Sequence, residues 1–519
     1  MTENRTEISI NELNRIIGNR DTLHYSPADL IIEKKNIRDK ISINDRNNNR
    51  GVYTSTLIFR NCAFYESVQI GHPSKAGYIK FEDCMFYGSV TAEYRKAPFS
   101  GNCIFNNDLS VTLSGGEIIE INDYDVEGSF TISGDPRTLI LKNINKKNRI
   151  IEQSVNIRVN TGTLSIDGLK ANTLQFSNRV EISHRFFIEN IKVSSFIIGK
   201  IDLKADLHIS NCTITKLTFE KTNRKDVSFT INNSIVKLME FNINTFKNAS
   251  FRGGKFNHFA LSDSNEKDSI INIEKATITN LKFDSVYNNG IITLRELSIP
   301  PEGIVSFRSS NLGKADFIYC NFSKATLEFE NSKITEAFFS ETEFPEKILV
   351  NGKKNHAQAQ LTFGQLATAF QKQGDNIRAL EYASRELEAH YKTLTWSSAA
   401  FFHKLNLWLN SISNDFGRSW VTGVIFSFAA GLIFFCLLLV STDNYSCGWP
   451  RFDEKMLPAY LKFMNPLRFF ELDALFNNTS KEGVVKLNGR SYLADFGGRI
   501  FVAYGYYQTI QAFRRFGRK

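Results

Sequence analysis

Three polar side chains near the C-terminus have a spacing that places them on one face of a helix. Tyr504, Gln508 and Gln511 follow one another at intervals of four and three residues, and Arg515 continues the series. The surrounding residues 492–513 are largely apolar, and polar groups inside a bilayer face either water or a partner helix. The stripe therefore predicts either the wetted lining of a pore or a hydrogen-bonded seam between helices.

Residues that could support catalysis or bind a metal form no recognisable pattern. The eight histidines are scattered, and the chain contains no HExxH, P-loop, GxSxG or convincing dinucleotide-binding motif. The seven cysteines include no CxxC pair, which argues against a disulfide framework or a zinc site and predicts reduced, buried thiols. We therefore expect no enzyme activity and no catalytic, cofactor-binding or metal site.

Two membrane-spanning helices would hold the polar stripe. Residues 419–441 contain no charged side chain, and at 1.5 Å per residue they are long enough to cross the hydrocarbon core of about 30 Å. A second span is predicted at residues 492–513, where Asp495 and Arg499 must be accommodated. Residues 442–491 would then form an extracytoplasmic segment.

Basic residues set the predicted orientation of these spans. Arg418 precedes the first span, and a basic tail at residues 514–519 follows the second. Both flanks are expected in the cytoplasm under the positive-inside rule. Because the N-terminus has no apolar stretch resembling a signal peptide, the N-terminal domain is also expected there, in a multi-pass inner (plasma) membrane protein. The predicted membrane anchors are Arg418, Trp420, Arg514 and Arg515.

Helical segments are predicted before the first span. Residues 355–396 have the spacing of two amphipathic helices that are broken at Gly374, with Asp375 placed to cap the second. This pair resembles a single tetratricopeptide-type unit. Residues 397–418 are predicted to form an amphipathic helix that lies in the membrane interface.

The larger, N-terminal part of the chain is repetitive. The segment from Phe59 to Val68 recurs 22 residues later, from Phe81 to Val90. Six further units begin, at intervals of 20 to 22 residues, at Ile166, Ile188, Ile209, Ile231, Phe251 and Ile273. Such a period favours a solenoid over a β-sandwich with coincidental spacing. It predicts a mainly β fold, a right-handed parallel β-helix of about 20–22 residues per coil.

The predicted β-helix covers residues 51–350, after a cap or polar leader at residues 1–50. One column of apolar side chains should contain Ile214, Val236 and Ile278, one from each coil. Corners between strands would absorb the variation in period at Asn and Gly, which tolerate unusual backbone angles. The 44 Phe residues of the chain indicate that large rings fill such columns systematically.

The period shortens to five residues near the end of this region. In the run from Asn311 to Leu327, an apolar residue recurs at every fifth position, with a small residue two positions before it. This run resembles the pentapeptide-repeat family. The resemblance implies a quadrilateral β-helix in which four faces of five residues make one coil.

Two functions from different classes fit this organisation. The first is a membrane-anchored cytoplasmic β-helix that acts as an oligomeric scaffold or sensor at the inner membrane. The alternative is an oligomeric ion channel or pore gated by the β-helix, because the layout resembles two-span ion channels fused to pentapeptide-repeat domains. No TVGYG-like filter lies between residues 441 and 498, so the sequence does not support potassium selectivity. By analogy of fold, such a pore could depolarise a bacterial membrane during stress or phage defence.

The charge of the chain indicates its partners. The net charge is +9, and we attribute it to an anionic membrane surface because basic residues cluster in the C-terminal tail. The expected partners are therefore the lipid bilayer, further copies of this chain and a protein bound to the β-helix surface. Nucleic acid and cofactors are not expected.

Overall fold

A computed structural model describes the chain at residues 6–9, 11–13, 15, 30–43, 56–71, 79–94, 98–116, 118–144, 151–177, 180–199, 202–220, 224–345, 348–350, 353–397, 400–441, 456–468 and 488–517. The chain divides into two compact units, Met1–Ile348 and Leu349–Lys519. The first unit is built mainly from β-strands, and the second is built mainly from α-helices.

The strands of the chain are β1 (Thr6–Ile8), β2 (Leu30–Glu33), β3 (Lys35–Ile37), β4 (Ile41–Ile43), β5 (Leu57–Arg60), β6 (Ala63–Phe64), β7 (Val68–Ile70), β8 (Ile79–Glu82), β9 (Met85–Phe86), β10 (Val90–Tyr94), β11 (Phe99–Ser100), β12 (Ile104–Phe105), β13 (Leu109–Leu113), β14 (Ile118–Asn122), β15 (Asp125–Val126), β16 (Phe130–Gly134), β17 (Thr138–Lys142), β18 (Ile151–Asp167), β19 (Lys170–Phe176), β20 (Glu181–Glu189), β21 (Lys192–Ile198), β22 (Asp202–Leu203), β23 (Leu207–Ser210), β24 (Thr213–Phe219), β25 (Arg224–Asn232), β26 (Ile235–Asn242), β27 (Phe246–Arg252), β28 (Lys255–Ser264), β29 (Ile270–Glu274), β30 (Thr277–Tyr287), β31 (Ile291–Arg295), β32 (Ile304–Arg308), β33 (Ala315–Ile318), β34 (Thr326–Glu330), β35 (Phe338–Ser340), β36 (Ile348–Val350) and β37 (Lys353–Lys354).

Strands of the first unit pair in parallel with the corresponding strand of the next coil, which makes a β-solenoid. One ladder joins Val193, Ile214, Val236, Phe256 and Ile278 in register, one residue from each successive coil. All five side chains are at most 3% exposed, so they form one internal column. The predicted column is confirmed, and the fold is consistent with a β-helix of the pentapeptide-repeat kind.

The number and length of the strands in each coil change along the solenoid. The N-terminal coils carry three short strands each, whereas from β18 onward most coils carry two longer ones. Strands β1 to β4 lie before residue 51, and they pair in parallel with β3, β5, β6 and β7. The parallel pairing therefore extends into the segment for which the sequence predicts a cap or polar leader.

A residue in the left-handed region marks one corner of each successive coil. Asn190, Asn211 and Asn233 have φ angles of 53°, 55° and 48°, and Gly253 continues the series at 67°. Asn and Gly adopt this conformation at the least cost, because bulkier side chains clash with the backbone there. Asn and Gly therefore favour the turn in these coils, whereas Lys275 and Glu296 adopt the same conformation at the next two corners, with φ of 52° each.

Small residues follow many of these corners and occupy the interior. The Cys212 thiol donates to the Ser210 carbonyl at 3.0 Å, and the Ser234 hydroxyl donates to the Asn232 carbonyl at 2.9 Å. Burial raises the pKa of the Cys212 thiol to about 11. The buried free cysteines of the solenoid are Cys62, Cys84, Cys103, Cys212 and Cys320, as the sequence predicted.

Stacked aromatic rings explain the abundance of Phe. Phe59 lies on Phe81 with ring centroids 5.1 Å apart, and Phe64 lies on Phe86 at 4.9 Å. Each pair joins equivalent positions of adjacent coils, so a single ring per coil produces a continuous column. Such stacks add a specific ring geometry to the burial of apolar surface.

The second unit contains six helices among the residues that the structure describes. They are α1 (His356–Lys372), α2 (Asn376–Thr393), α3 (Phe401–Asn414), α4 (Trp420–Ser441), α5 (Met456–Phe463) and α6 (Gly489–Gly517). As predicted, the first two are separated at Gly374, and the Asp375 side chain caps α2 by accepting from the Arg378 amide at 3.0 Å. Among these helices, only α4 is long and apolar enough to cross a membrane by those criteria alone.

Candidate functional site

Helices α4 and α6 lie antiparallel along their length and form a hairpin. Gly423 faces Thr509 near one end, and Ser427 faces Gly505 one turn further along. At the other end, the hydroxyl groups of Ser441 and Ser491 lie 3.1 Å apart. Helix α6, with 29 residues, therefore runs beside the whole of α4, which has 22.

Small residues permit this close approach. Gly423, Ser427 and Gly431 recur at every fourth position of α4, which places them on one face. A Cβ atom on Gly423 would lie 2.5 Å from the Thr509 hydroxyl oxygen and 3.1 Å from the Thr509 Cα atom. This spacing matches the small-xxx-small pattern that is common where membrane helices pack closely, and hydropathy alone does not reveal it.

Gln508 lies in a seam between α6 and the end of α3. Its side chain is only 5% exposed, and its Oε1 atom accepts a hydrogen bond from Asn414 Nδ2 at 2.5 Å. The Asn414 Oδ1 atom in turn accepts from the Gly417 amide at 2.9 Å. The left-handed residues Asp415 and Phe416, with φ of 50° and 54°, turn the chain here from α3 towards α4.

The other two residues of the stripe are less enclosed. Tyr504 is half-buried, and its ring lies edge to face with Phe426 at 6.2 Å. Its hydroxyl group lies beside Ser413 and Gln508 without a hydrogen bond of good geometry. Gln511 is also half-buried. The stripe thus has one residue in a hydrogen-bonded seam and two at its margin.

The residues predicted to anchor the chain in the membrane differ in their contacts and exposure. The Arg418 guanidinium forms an ion pair with Glu388 of α2 at 2.7 Å. Hydrogen bonds from Lys392 and Arg418 lower the pKa of the Glu388 carboxyl. Trp420 is exposed and packs edge to face against Phe513. Arg514 is exposed, and the side chain of Arg515 lies outside the described residues.

A buried ion triad accommodates the charges of α6. Asp495 is 0% exposed, and its carboxylate pairs with Arg468, which follows α5, and with Arg499 of α6 at 2.9 Å. Each guanidinium side chain is 11% exposed, and Arg499 Nη1 also donates to the Arg468 carbonyl at 2.5 Å. Arg468 lies over the Phe463 ring at 4.4 Å. The sequence placed Asp495 and Arg499 in a span but did not indicate Arg468 as their partner.

Helix α5 packs against the middle of α4. The Tyr460 hydroxyl donates to the Phe428 carbonyl at 2.8 Å, and Met464 contacts Gly431. An apolar cluster supports this contact and comprises Phe435, Leu438, Leu439, Ala459 and Phe463. Residues 456–468 of the predicted extracytoplasmic segment therefore lie beside the hairpin, level with the centre of α4.

No protein-family model matches the chain, and no match was found among curated proteins or solved structures. Within the part of the chain that the structure describes, no group of three or more His, Cys, Asp or Glu side chains is arranged to hold a metal ion.

Proposed function

We propose that this chain is a membrane-anchored β-helix protein that acts as an oligomeric scaffold or sensor at the inner membrane. Helices α4 and α6 would be its two spans, with both termini in the cytoplasm. The observation that carries the proposal is the distribution of side chains on α6. Asp495 and Gln508 are buried against other elements, whereas the exposed residues include Leu493, Phe496, Ile500, Ile510 and Phe513. An apolar exterior around a polar interior suits a helix hairpin that is solvated by lipid.

The β-helix would supply the surface for a protein partner. Tyr65 and Tyr87 are exposed and stack on each other at 4.9 Å on adjacent coils. Ile270 and Ile291 are also exposed and are neighbours in register. Large side chains repeated on the outside of a solenoid are a common means of protein recognition.

Topology gives the first test of this proposal. A small tag placed after Lys519 should be accessible to a probe only after the inner membrane is permeabilised. Labelling of a tag placed before Met1 serves as the control, because the same result is expected at that end. A C-terminal tag that is labelled in intact spheroplasts would show that α6 does not cross and would overturn the two-span anchor.

Replacement of Gln508 gives the second test. Gln508→Leu should destabilise the helical unit by about 1–3 kcal/mol, because the buried Asn414 amide loses its acceptor. Gln511→Leu is the matched control, and its effect should stay within about 0.5 kcal/mol. Thermal unfolding of the purified protein in detergent measures both. Equal effects of the two variants would contradict a seam at Gln508.

The second candidate function is an oligomeric ion channel or pore, which is favoured by the position of α5. With α4 and α6 as spans, Tyr460 and Met464 would lie near the bilayer midplane, so α5 would be re-entrant. Re-entrant segments occur where protein or a water-filled cavity covers them. Membrane depolarisation during stress or phage defence would be the outcome of such a pore.

Gln508→Arg separates the two candidates. On a wetted wall the substitution should be tolerated and shift selectivity towards anions, whereas in a dry seam it should prevent stable insertion. Ion flux from liposomes that contain the purified protein measures the first outcome, and the yield of folded protein in the membrane measures the second. A detergent-solubilised particle with the mass of a monomer would end the pore proposal.

A further inference from the structure

Two histidines outside the hairpin, one on α2 and one on α3, face each other. The Nε2 atoms of His390 and His403 lie 3.1 Å apart, although the two residues are 13 positions apart in the chain. His390 is half-buried and His403 is exposed, so the gap between the rings is open to solvent. Neither side chain contributes to the hairpin of α4 and α6 or to the ion triad.

The second nitrogen of His390 has its own partner. His390 Nδ1 lies 3.0 Å from the Gln360 side-chain oxygen on α1. Because an amide oxygen only accepts hydrogen bonds, Nδ1 carries the proton when the imidazole is neutral. The lone pair of that neutral ring then lies on Nε2 and points towards His403. A hydrogen bond to the outer nitrogen is also how proteins orient histidines that bind metals.

The separation of the two Nε2 atoms suits a shared cation. Two nitrogens at about 2.0–2.1 Å from a tetrahedral Zn²⁺ ion lie about 3.3 Å from each other. Glu386 lies one helical turn before His390, and this carboxyl interacts electrostatically with that imidazole. The nearby Lys404 ammonium is directed to the Leu394 carbonyl at 2.6 Å and to the ring of Trp396. The surroundings of the pair therefore do not oppose a positive ion.

We propose that His390 and His403 bind a divalent transition-metal ion, Zn²⁺ in particular, which joins α2 to α3. Imidazole nitrogens are suitable ligands for zinc, and water would complete the coordination because His403 is exposed. The ion would fix the angle between the helix pair and α3. This inference is independent of the proposed function, since it requires neither oligomerisation nor ion flux.

Titration of the full chain with Zn²⁺ tests the proposal. The protein is purified in detergent without a histidine tag and titrated by calorimetry, and we expect one ion per chain. His403→Ala should weaken binding at least tenfold, and Gln360→Ala should weaken it about tenfold to a hundredfold because the tautomer of His390 is no longer fixed. His356→Ala, an exposed histidine at the start of α1, should leave the affinity unchanged.

A rescue variant separates metal binding from an ordinary hydrogen bond. His403→Cys replaces one zinc ligand by another and should retain binding, and Zn²⁺ should raise the melting temperature of this variant as it does that of the unaltered chain. Unchanged affinity in His403→Ala would overturn the proposal. A His403→Cys variant that folds but binds no zinc would also overturn it, because the pair would then be only a hydrogen bond.

Discussion

The buried triad around Asp495 allows a quantitative test of how the segment after α5 is held to α6. Asp495→Leu would remove the carboxylate that pairs with both Arg468 and Arg499, whose side chains are each 11% exposed. Removing one member of a buried ion pair costs about 3–5 kcal/mol, because an uncompensated charge stays in a medium of low dielectric constant. We expect a loss in the upper part of that range, since two like charges remain.

Arg468→Met is the matched variant with a smaller expected effect. It leaves the Asp495–Arg499 pair intact at 2.9 Å and removes the excess positive charge of the triad. It also removes the charge-assisted hydrogen bond from Arg468 to the Phe463 carbonyl at 2.6 Å. Such a bond contributes about 1.5–3 kcal/mol, so the expected loss lies below that of Asp495→Leu.

The assay is reversible unfolding of the purified protein in mixed micelles with increasing SDS, followed by the loss of helical circular dichroism. The triple variant Asp495→Leu, Arg468→Met and Arg499→Met should recover much of the stability, because well-packed apolar groups can replace a buried ion network at little cost. If Asp495→Leu unfolds at the same SDS fraction as the unaltered chain, or if the triple variant is the least stable of all, the triad does not hold α6 to the segment after α5 as argued.

Three further predictions concern the β-helix and the helix pair. Ile214→Asp should destabilise the solenoid by several kcal/mol, because it places a charge in the dry column. Thr213→Asp should have little effect on stability, because Thr213 is exposed. Limited proteolysis of the solenoid checks both variants. Asn211→Ala should cost about 1–2 kcal/mol at its left-handed corner, whereas Asn211→Gly should be close to neutral in thermal unfolding. The pKa of Glu388 lies below its unfolded value of 4.5 because of its hydrogen bond from Lys392, so its stabilisation is complete above pH 4.5 and is lost as pH falls through the folded pKa. Glu388→Gln should therefore make the melting temperature less dependent on pH in this acidic range.

The solenoid could be predicted because its chemistry repeats. A coil must offer an apolar residue at the same place as its neighbours, so Ile214 and Val236 are recognisable from spacing alone. The corners are visible for the same reason, since Asn211 and Asn233 recur at the residue before a small one. The first strands were not recognised because a run of Asn and Arg at residues 46–50 interrupts the period there.

The helical site could be predicted only in part, because its contacts join distant positions. Gln508 is 94 residues from its partner Asn414, and nothing in either local pattern relates them. Arg468 lies in a segment without periodicity, so its pairing with Asp495 has no counterpart in the sequence. The spacing of small residues on α4 can be seen in the sequence, and it indicates that a second helix packs against this one.

Helix α6 shows which property of a segment average hydropathy leaves out. A polar residue is costly in a bilayer when it faces lipid, whereas an average weights each residue equally regardless of its direction. On α6, Ser491 and Asp495 are buried, while Leu493 and Phe496 are exposed. Helix α6 therefore depends on its neighbours for the partners of its polar side chains, and we expect it to cross a membrane only beside α4. By contrast, α4 is long and apolar enough to cross a membrane by length and composition, so in the proposed topology we expect it to enter the bilayer first.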